Sequence, residues 1–225
     1  MLGFTLSKLN LLILVTAMFT IIAFFLFALT DRVISDLAQQ HVKEYSETVF
    51  GLVTGEVLCR KSTVTIPSSI EYFGGLAPSE RVYYLMHVKR YPDQPKENQL
   101  TTLIFQIARR KEPDRVIATS SIDINAKVFL YDWDPETDVM TEGSKLTLDP
   151  QSMGREKNSM VLVKEVYGGE SYLHIIACSS EAMLCETNLG KASCWLETCN
   201  SESRTSPCFP MPEDCISKVG SCGRG

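Results

Sequence analysis

The sequence predicts an α+β protein: a long N-terminal helix, part transmembrane and part stalk, packed on an antiparallel β-sheet domain, with a disulfide-rich C-terminal tail. Three observations predict it. An unbroken apolar run fills one end of the 225-residue chain. Beyond Gly55 the hydrophobic period changes from helical to alternating. Seven of the 8 cysteines crowd into the last stretch, from Cys178 onward.

The apolar run extends from Leu11 to Leu29, and its only polar side chains are Thr16 and Thr20. Both hydroxyls can bond back to a carbonyl of the preceding turn, so neither is costly in lipid. At about 1.5 Å per residue the run reaches roughly 28 Å, one hydrocarbon core. A cleaved secretory signal would have a shorter core, basic residues before it and a small-x-small site after it. Here the exit reads Phe27-Ala28-Leu29-Thr30-Asp31, and a retained anchor is expected. Lys8 and the terminal amine place the N-terminus in the cytoplasm, and a cysteine-rich far end on the oxidising, extracellular side agrees with that. Residues 1–30 are thus the N-terminal segment, with the transmembrane helix at 11–29.

Helical patterning continues through a stalk at 31–54. Ile34, Leu37, Ala38, His41, Tyr45, Val49 and Leu52 recur at spacings of three and four and form one stripe. Asp36, Gln39, Gln40, Lys43, Glu44 and Glu47 take the other face. No Gly or Pro falls between Leu6 and Phe50, so one helix is expected from about Thr5 to Val53, ending near Gly55. The stripe needs a surface to cover it. The following domain is the simplest candidate and a coiled-coil partner the other.

Residues 55–177 read as a β-rich ectodomain. Short β-branched and aromatic runs alternate with turns, at Ser62–Ile66, Val82–Arg90, Leu100–Arg109, Val116–Ser120, Lys127–Trp133, Met160–Val166 and Tyr172–Ala177. Val82, Tyr84, Met86 and Val88 should face one way, as should Leu103, Phe105 and Ile107. Gly168-Gly169 signals a hairpin, because two glycines accept the positive φ of a tight turn.

The tail, 178–225, carries Cys178, Cys185, Cys194, Cys199, Cys208, Cys215 and Cys222, and few large apolar groups besides Trp195, Leu196 and Phe209. Such a segment builds little core, so cross-links must order it. Zinc is the rival reading, but the Cys-x-x-Cys pair it usually needs is absent. Seven is odd. If all eight cysteines pair within the chain, at least one bridge joins Cys59 to the tail. That bridge would contribute about 4 kcal/mol by restricting the unfolded chain. Eight cysteines leave the connectivity open.

Catalytic patterns are missing. Asp132, Asp134, Glu136 and Asp138 alternate in a loop as calcium ligands can, yet the turn glycine and the bidentate glutamate of an EF-hand are lacking. A solvated acidic turn is the plainer reading. His41, His87 and His174 form no His-x-x-x-His pair, and no Gly-x-Ser-x-Gly elbow occurs. Arg109-Arg110-Lys111 is followed at once by Glu112 and Asp114, which suggests a solvated hairpin turn. A net charge of −5 and the expected topology argue against nucleic acid as a partner. No catalytic residue, cofactor or metal is expected.

Gly3-Phe4-Thr5-Leu6, followed directly by the apolar helix, resembles the processing region of type IV pilins and pseudopilins. That resemblance implies cleavage between Gly3 and Phe4, methylation of the new amine, and packing of the N-terminal helix against identical or related subunits. It also implies the same build, a helix half in the membrane and half on a sheet. Lys8 stands where that family carries a glutamate, and the leader Met1-Leu2-Gly3 has no basic residue. The expectation is a non-enzymatic, membrane-anchored surface protein, pilin-like and structural or adhesive, with Gly3, Phe4 and Lys8 governing processing and assembly. The alternative is a single-pass anchored binding or sensor module that does not polymerise.

Overall fold

A single helix, α1 (Leu2–Thr54), begins the chain. Our computed structural model describes residues 2–56, 59–72, 80–93, 100–134, 139–151, 158–167 and 169–178. Among the described residues, eleven strands follow α1. They are β1 (Cys59–Thr65), β2 (Ile70–Tyr72), β3 (Glu80–Val82), β4 (Tyr84–Tyr91), β5 (Thr101–Arg109) and β6 (Glu112–Ile124). The rest are β7 (Lys127–Asp134), β8 (Val139–Gly143), β9 (Lys145–Leu148), β10 (Ser159–Tyr167) and β11 (Glu170–Cys178).

The strands form three sheets. A five-stranded sheet runs β1-β10-β11-β7-β8, a four-stranded sheet runs β6-β5-β4-β9, and β2 pairs with β3. The larger sheet corrects the expectation of a purely antiparallel domain, because β11 lies parallel to β7. Parallel neighbours need a long crossover, and here the chain supplies it through β8, β9 and β10. β10 and β11 are buried on both sides, so Met160–Val163 and Ile175–Ala177 read as continuous apolar runs instead of alternating ones. Their turn contains Gly169 at φ 82°, the left-handed conformation that favours glycine.

The stripe on α1 lies on the sheets. Ala38, Val42, Tyr45, Val49, Leu52 and Val53 share one core with Tyr84, Met86, Phe105 and Ile107. Val42, fully buried, was missing from the expected stripe, whereas His41 is only half-buried. The polar face is exposed as expected.

Besides the core, polar groups join α1 to β6, the edge of the four-stranded sheet. The Gln39 amide acts as a short strand partner: its Nε2 donates to the Thr119 carbonyl at 3.0 Å, and the Thr119 N–H donates to its Oε1 at 3.3 Å. Ser35 donates to the Ile117 carbonyl at 3.0 Å, and the Ser46 and Ser120 hydroxyls meet at 2.9 Å. An open edge is a template for pairing with other chains, and this one is partly occupied by the helix. The β5–β6 ladder shifts register between Ile107 and Arg109, so β6 carries extra residues around Pro113 and Ile117. Proline has no ladder donor, which makes that bulge its natural place.

At its far end α1 has no basic residue in the last turn. Lys164 of β10, nearly buried, donates to the Gly55 carbonyl and supplies the missing cation near the negative end of the helix. Burial, and then nearby Arg60, draw its pKa below the usual lysine range.

Candidate functional site

Among the described residues, the apolar side chains of the first half of α1 are exposed. Leu11 is 65 % exposed, Phe19 68 % and Phe24 71 %. Thr16 donates to the Leu12 carbonyl at 2.8 Å and Thr20 to the Thr16 carbonyl at 2.9 Å, so neither hydroxyl needs water. Among the described residues this one helix is long and apolar enough to cross a membrane, by length and composition.

The head meets the helix just after the apolar run. Asp31 pairs with Arg109 at 2.5 Å and with Arg115 at 3.6 Å. Those ion pairs bring the β5–β6 turn, with Arg110 and Lys111 exposed, beside the end of the greasy segment. The basic run is largely offset there: Arg110 pairs with Asp149 at 3.1 Å and Arg115 with Glu112 at 3.3 Å.

The residues singled out from sequence scatter. Gly3 and Phe4 lie in the first turns of α1, and Lys8 is exposed on it. Cys59 opens β1 and pairs in register with Glu165. Cys178 closes β11 opposite Ser159, which makes it a strand residue. Cys185, Cys194, Cys199, Cys208, Cys215 and Cys222 fall outside the described residues. Asp132 and Asp134 end β7, and Glu136 and Asp138 are outside the described residues. No group of three His, Cys, Asp or Glu that could hold a metal occurs among the described residues.

Sequence reasoning missed a buried polar cluster at the junction of the sheets. Arg90 of β4 is 6 % exposed, and its backbone N–H donates to the Ser144 carbonyl at 3.0 Å, between β8 and β9. Its Nη1 donates to the Val128 carbonyl at 2.7 Å, its Nη2 to Glu142 Oε1 at 3.0 Å, and its Nε to the Asp93 carbonyl at 2.8 Å. Its guanidinium lies 6.0 Å from the Phe129 ring centroid. Phe129 stacks on His174 at 5.2 Å, and Tyr131 stacks on His174 at 5.9 Å. His174 Nε2 lies 3.7 Å from Glu165 Oε1, and both side chains are fully buried. Burial lowers the His174 pKa against the opposing pull of Glu165, and burial raises that of Tyr131. The only trace of this cluster in sequence is the interruption of apolar runs by Lys164-Glu165 and His174. Geometrically it is a lock between β4, β7 and β8.

Two other titratable sites are structural. His87 meets Thr147 Oγ1 at 3.1 Å, and its pKa is pulled down to about 4 by burial and then by Lys145 and Lys89. Tyr84 donates to the Pro67 carbonyl at 2.7 Å and shares the core with Tyr45 of the helix. Burial pushes the Tyr45 pKa up to about 12.

The chain is thus an α+β protein, with one membrane-competent helix among the described residues whose second half is built into a mixed-sheet head. No family model, curated protein or solved structure matches it.

Proposed function

We propose that this chain is a non-enzymatic, membrane-anchored surface protein, a pilin-like structural or adhesive subunit. The N-terminus is cytoplasmic and the head extracellular. The single observation that supports this most is the division of α1: its first half is bare and apolar, and its second half is part of the head's core. A helix built this way transmits any displacement of the head directly to the segment in lipid. It also offers a long apolar face on which the helices of identical or related subunits can pack. Its threonine hydroxyls are satisfied within the helix, which suits either lipid or a helix bundle. Gly3-Phe4 provides the processing site in this reading. Nucleic acid has no place in it.

Lys8 supports a second reading, a single-pass anchored binding or sensor module that does not polymerise. An exposed lysine just before the span is an ordinary cytoplasmic flanking charge. Mass spectrometry of the mature N-terminus separates the two. A chain starting at methylated Phe4 supports the pilin-like subunit, and filaments should then be seen by electron microscopy of sheared surface material. An intact Met1 overturns it in favour of the anchored module.

A further inference from the structure

The polar contacts between α1 and β6 fix which end of the head faces the bilayer. Along the helix, Asp31 meets Arg115, Ser35 meets Ile117 and Gln39 meets Thr119. Four helix residues climb about 6 Å and two strand residues about 6.6 Å, so the two elements keep pace. β6 therefore runs alongside α1 and away from the apolar segment, and β5, antiparallel to it, runs toward that segment. Their turn, Arg110-Lys111, is the tip that points at the membrane.

The ion pairs at Asp31 set the depth of this tip. The apolar run ends at Leu29, and Asp31 stands about 3 Å further along the helix axis. A headgroup layer is roughly 5–7 Å thick on each side of the hydrocarbon. With Leu11–Leu29 in the hydrocarbon, the Arg109 and Arg115 guanidinium groups, drawn to Asp31, stand within that layer. Arg110 and Lys111 lie beyond Arg109, and both are exposed. The same end presents Tyr83: Tyr84 is in register with Arg109, and the Arg110 N–H donates to the Tyr83 carbonyl at 3.1 Å. Tyr83 and, on β6, Val116 are exposed, apolar bodies beside bases, which suits the boundary between lipid and water. Asp31, Glu112 and Asp149 are engaged by arginines here, which leaves Lys111 for an outside anion, with Asp114 opposing it. Placement outweighs net charge in such a contact, so the phosphate of a zwitterionic lipid serves as well as that of an anionic one.

We infer that in the membrane-embedded protein the β5–β6 hairpin and Tyr83 rest in the lipid headgroup layer, with Lys111 on a lipid phosphate, as a second foot of the head beside α1. The inference rests on α1 being the membrane anchor. The tilt and rotation of a lone spanning helix are set by its interfacial anchors. A foot on one side of α1 supplies such an anchor and holds the head at a fixed angle to the bilayer.

The test uses the full chain in phosphatidylcholine nanodiscs, with a benzophenone amino acid in place of Phe19, Tyr83 or Asn125. All three side chains are exposed, so the fold tolerates the probe. Asn125 follows the far end of β6, about 40 Å from the tip. Protein–lipid adducts are counted by intact mass after illumination. Adducts are expected at Phe19 and Tyr83, with a yield at Tyr83 many-fold above that at Asn125. Adducts at Phe19 with none at Tyr83, or equal yields at Tyr83 and Asn125, overturn the inference and leave the anchor standing. No adduct at Phe19 removes the anchor, and the inference with it. Adding Lys111→Glu should cut the Tyr83 yield several-fold and leave Phe19 unchanged; an unchanged Tyr83 yield overturns the lysine–phosphate contact.

Discussion

Val42→Ala and Val15→Ala form a matched pair that separates the two halves of α1. Both positions lie in one helix, so each exchange gains the same helix propensity, about 0.6 kcal/mol. Val42 is 0 % exposed within the core, whereas Val15 is 41 % exposed and outside the head. Deleting two buried methyl groups loses ~0.8 kcal/mol each, and the incompletely closed cavity adds to that, for about 2–3 kcal/mol at Val42. After the propensity gain the net loss is about 2 kcal/mol. For a chain of this size 1 kcal/mol moves Tm by about 2–4 °C, so Val42→Ala should lower it by about 4–8 °C. The assay is thermal unfolding in detergent, followed by near-ultraviolet circular dichroism of the head. Val15→Ala should leave that transition in place. Equal losses for both variants, or none at Val42, would refute the division of the helix into a lipid half and a core half.

Gln39→Ala removes both bonds to the Thr119 backbone, which are exposed, and should cost about 1 kcal/mol. The Thr119 amide should exchange faster by NMR or mass spectrometry, and an unchanged rate would mean that the amide clamp does not hold the edge. Stability should fall as pH drops from about 6.5 to 4. His87 is neutral when folded, with its pKa near 4, so the unfolded chain takes up the proton first, for a loss of up to about 3 kcal/mol. Buried His174 acts in the same direction. Denaturant curves at pH 7 and 4.5 should converge in part for His87→Gln, and an unaltered pH slope would count against a neutral His87. Gly169→Ala meets no atom within 4 Å, so its effect is on the backbone alone. A loss of about 1–2 kcal/mol in chemical denaturation is expected, and no loss would show that the turn can relax to negative φ.

The helix was legible because its signals are local. An unbroken apolar run and a stripe at three-and-four spacing need no knowledge of the rest of the chain, and α1 follows both. Val42 was passed over because the expected stripe took His41 instead, and a half-buried imidazole and a buried valine are neighbours on the same face. The long strands were legible from alternation at Tyr84, Met86 and Val88 and at Leu103, Phe105 and Ile107. Val82 broke that pattern because it belongs to β3, paired with Ile70 of β2. β2, β8 and β9 are three to five residues long, and Glu71, Glu142 and Lys145 dilute their apolar signal. Strand order was not legible at all. The parallel β11–β7 pair joins segments far apart in sequence, and nothing in either run marks its direction. Arg90 was equally hidden: its role depends on the Val128 carbonyl and Glu142, two partners set by the crossing between sheets.

Hydrogen exchange of the full chain reconstituted in lipid nanodiscs tests the central claim most directly. Slow exchange should run without a gap from Leu11 through Val53, including the junction at Thr30–Val33 where lipid gives way to the sheet. Fast exchange at that junction, or along Leu11–Leu29, would contradict a single rod shared between the bilayer and the head.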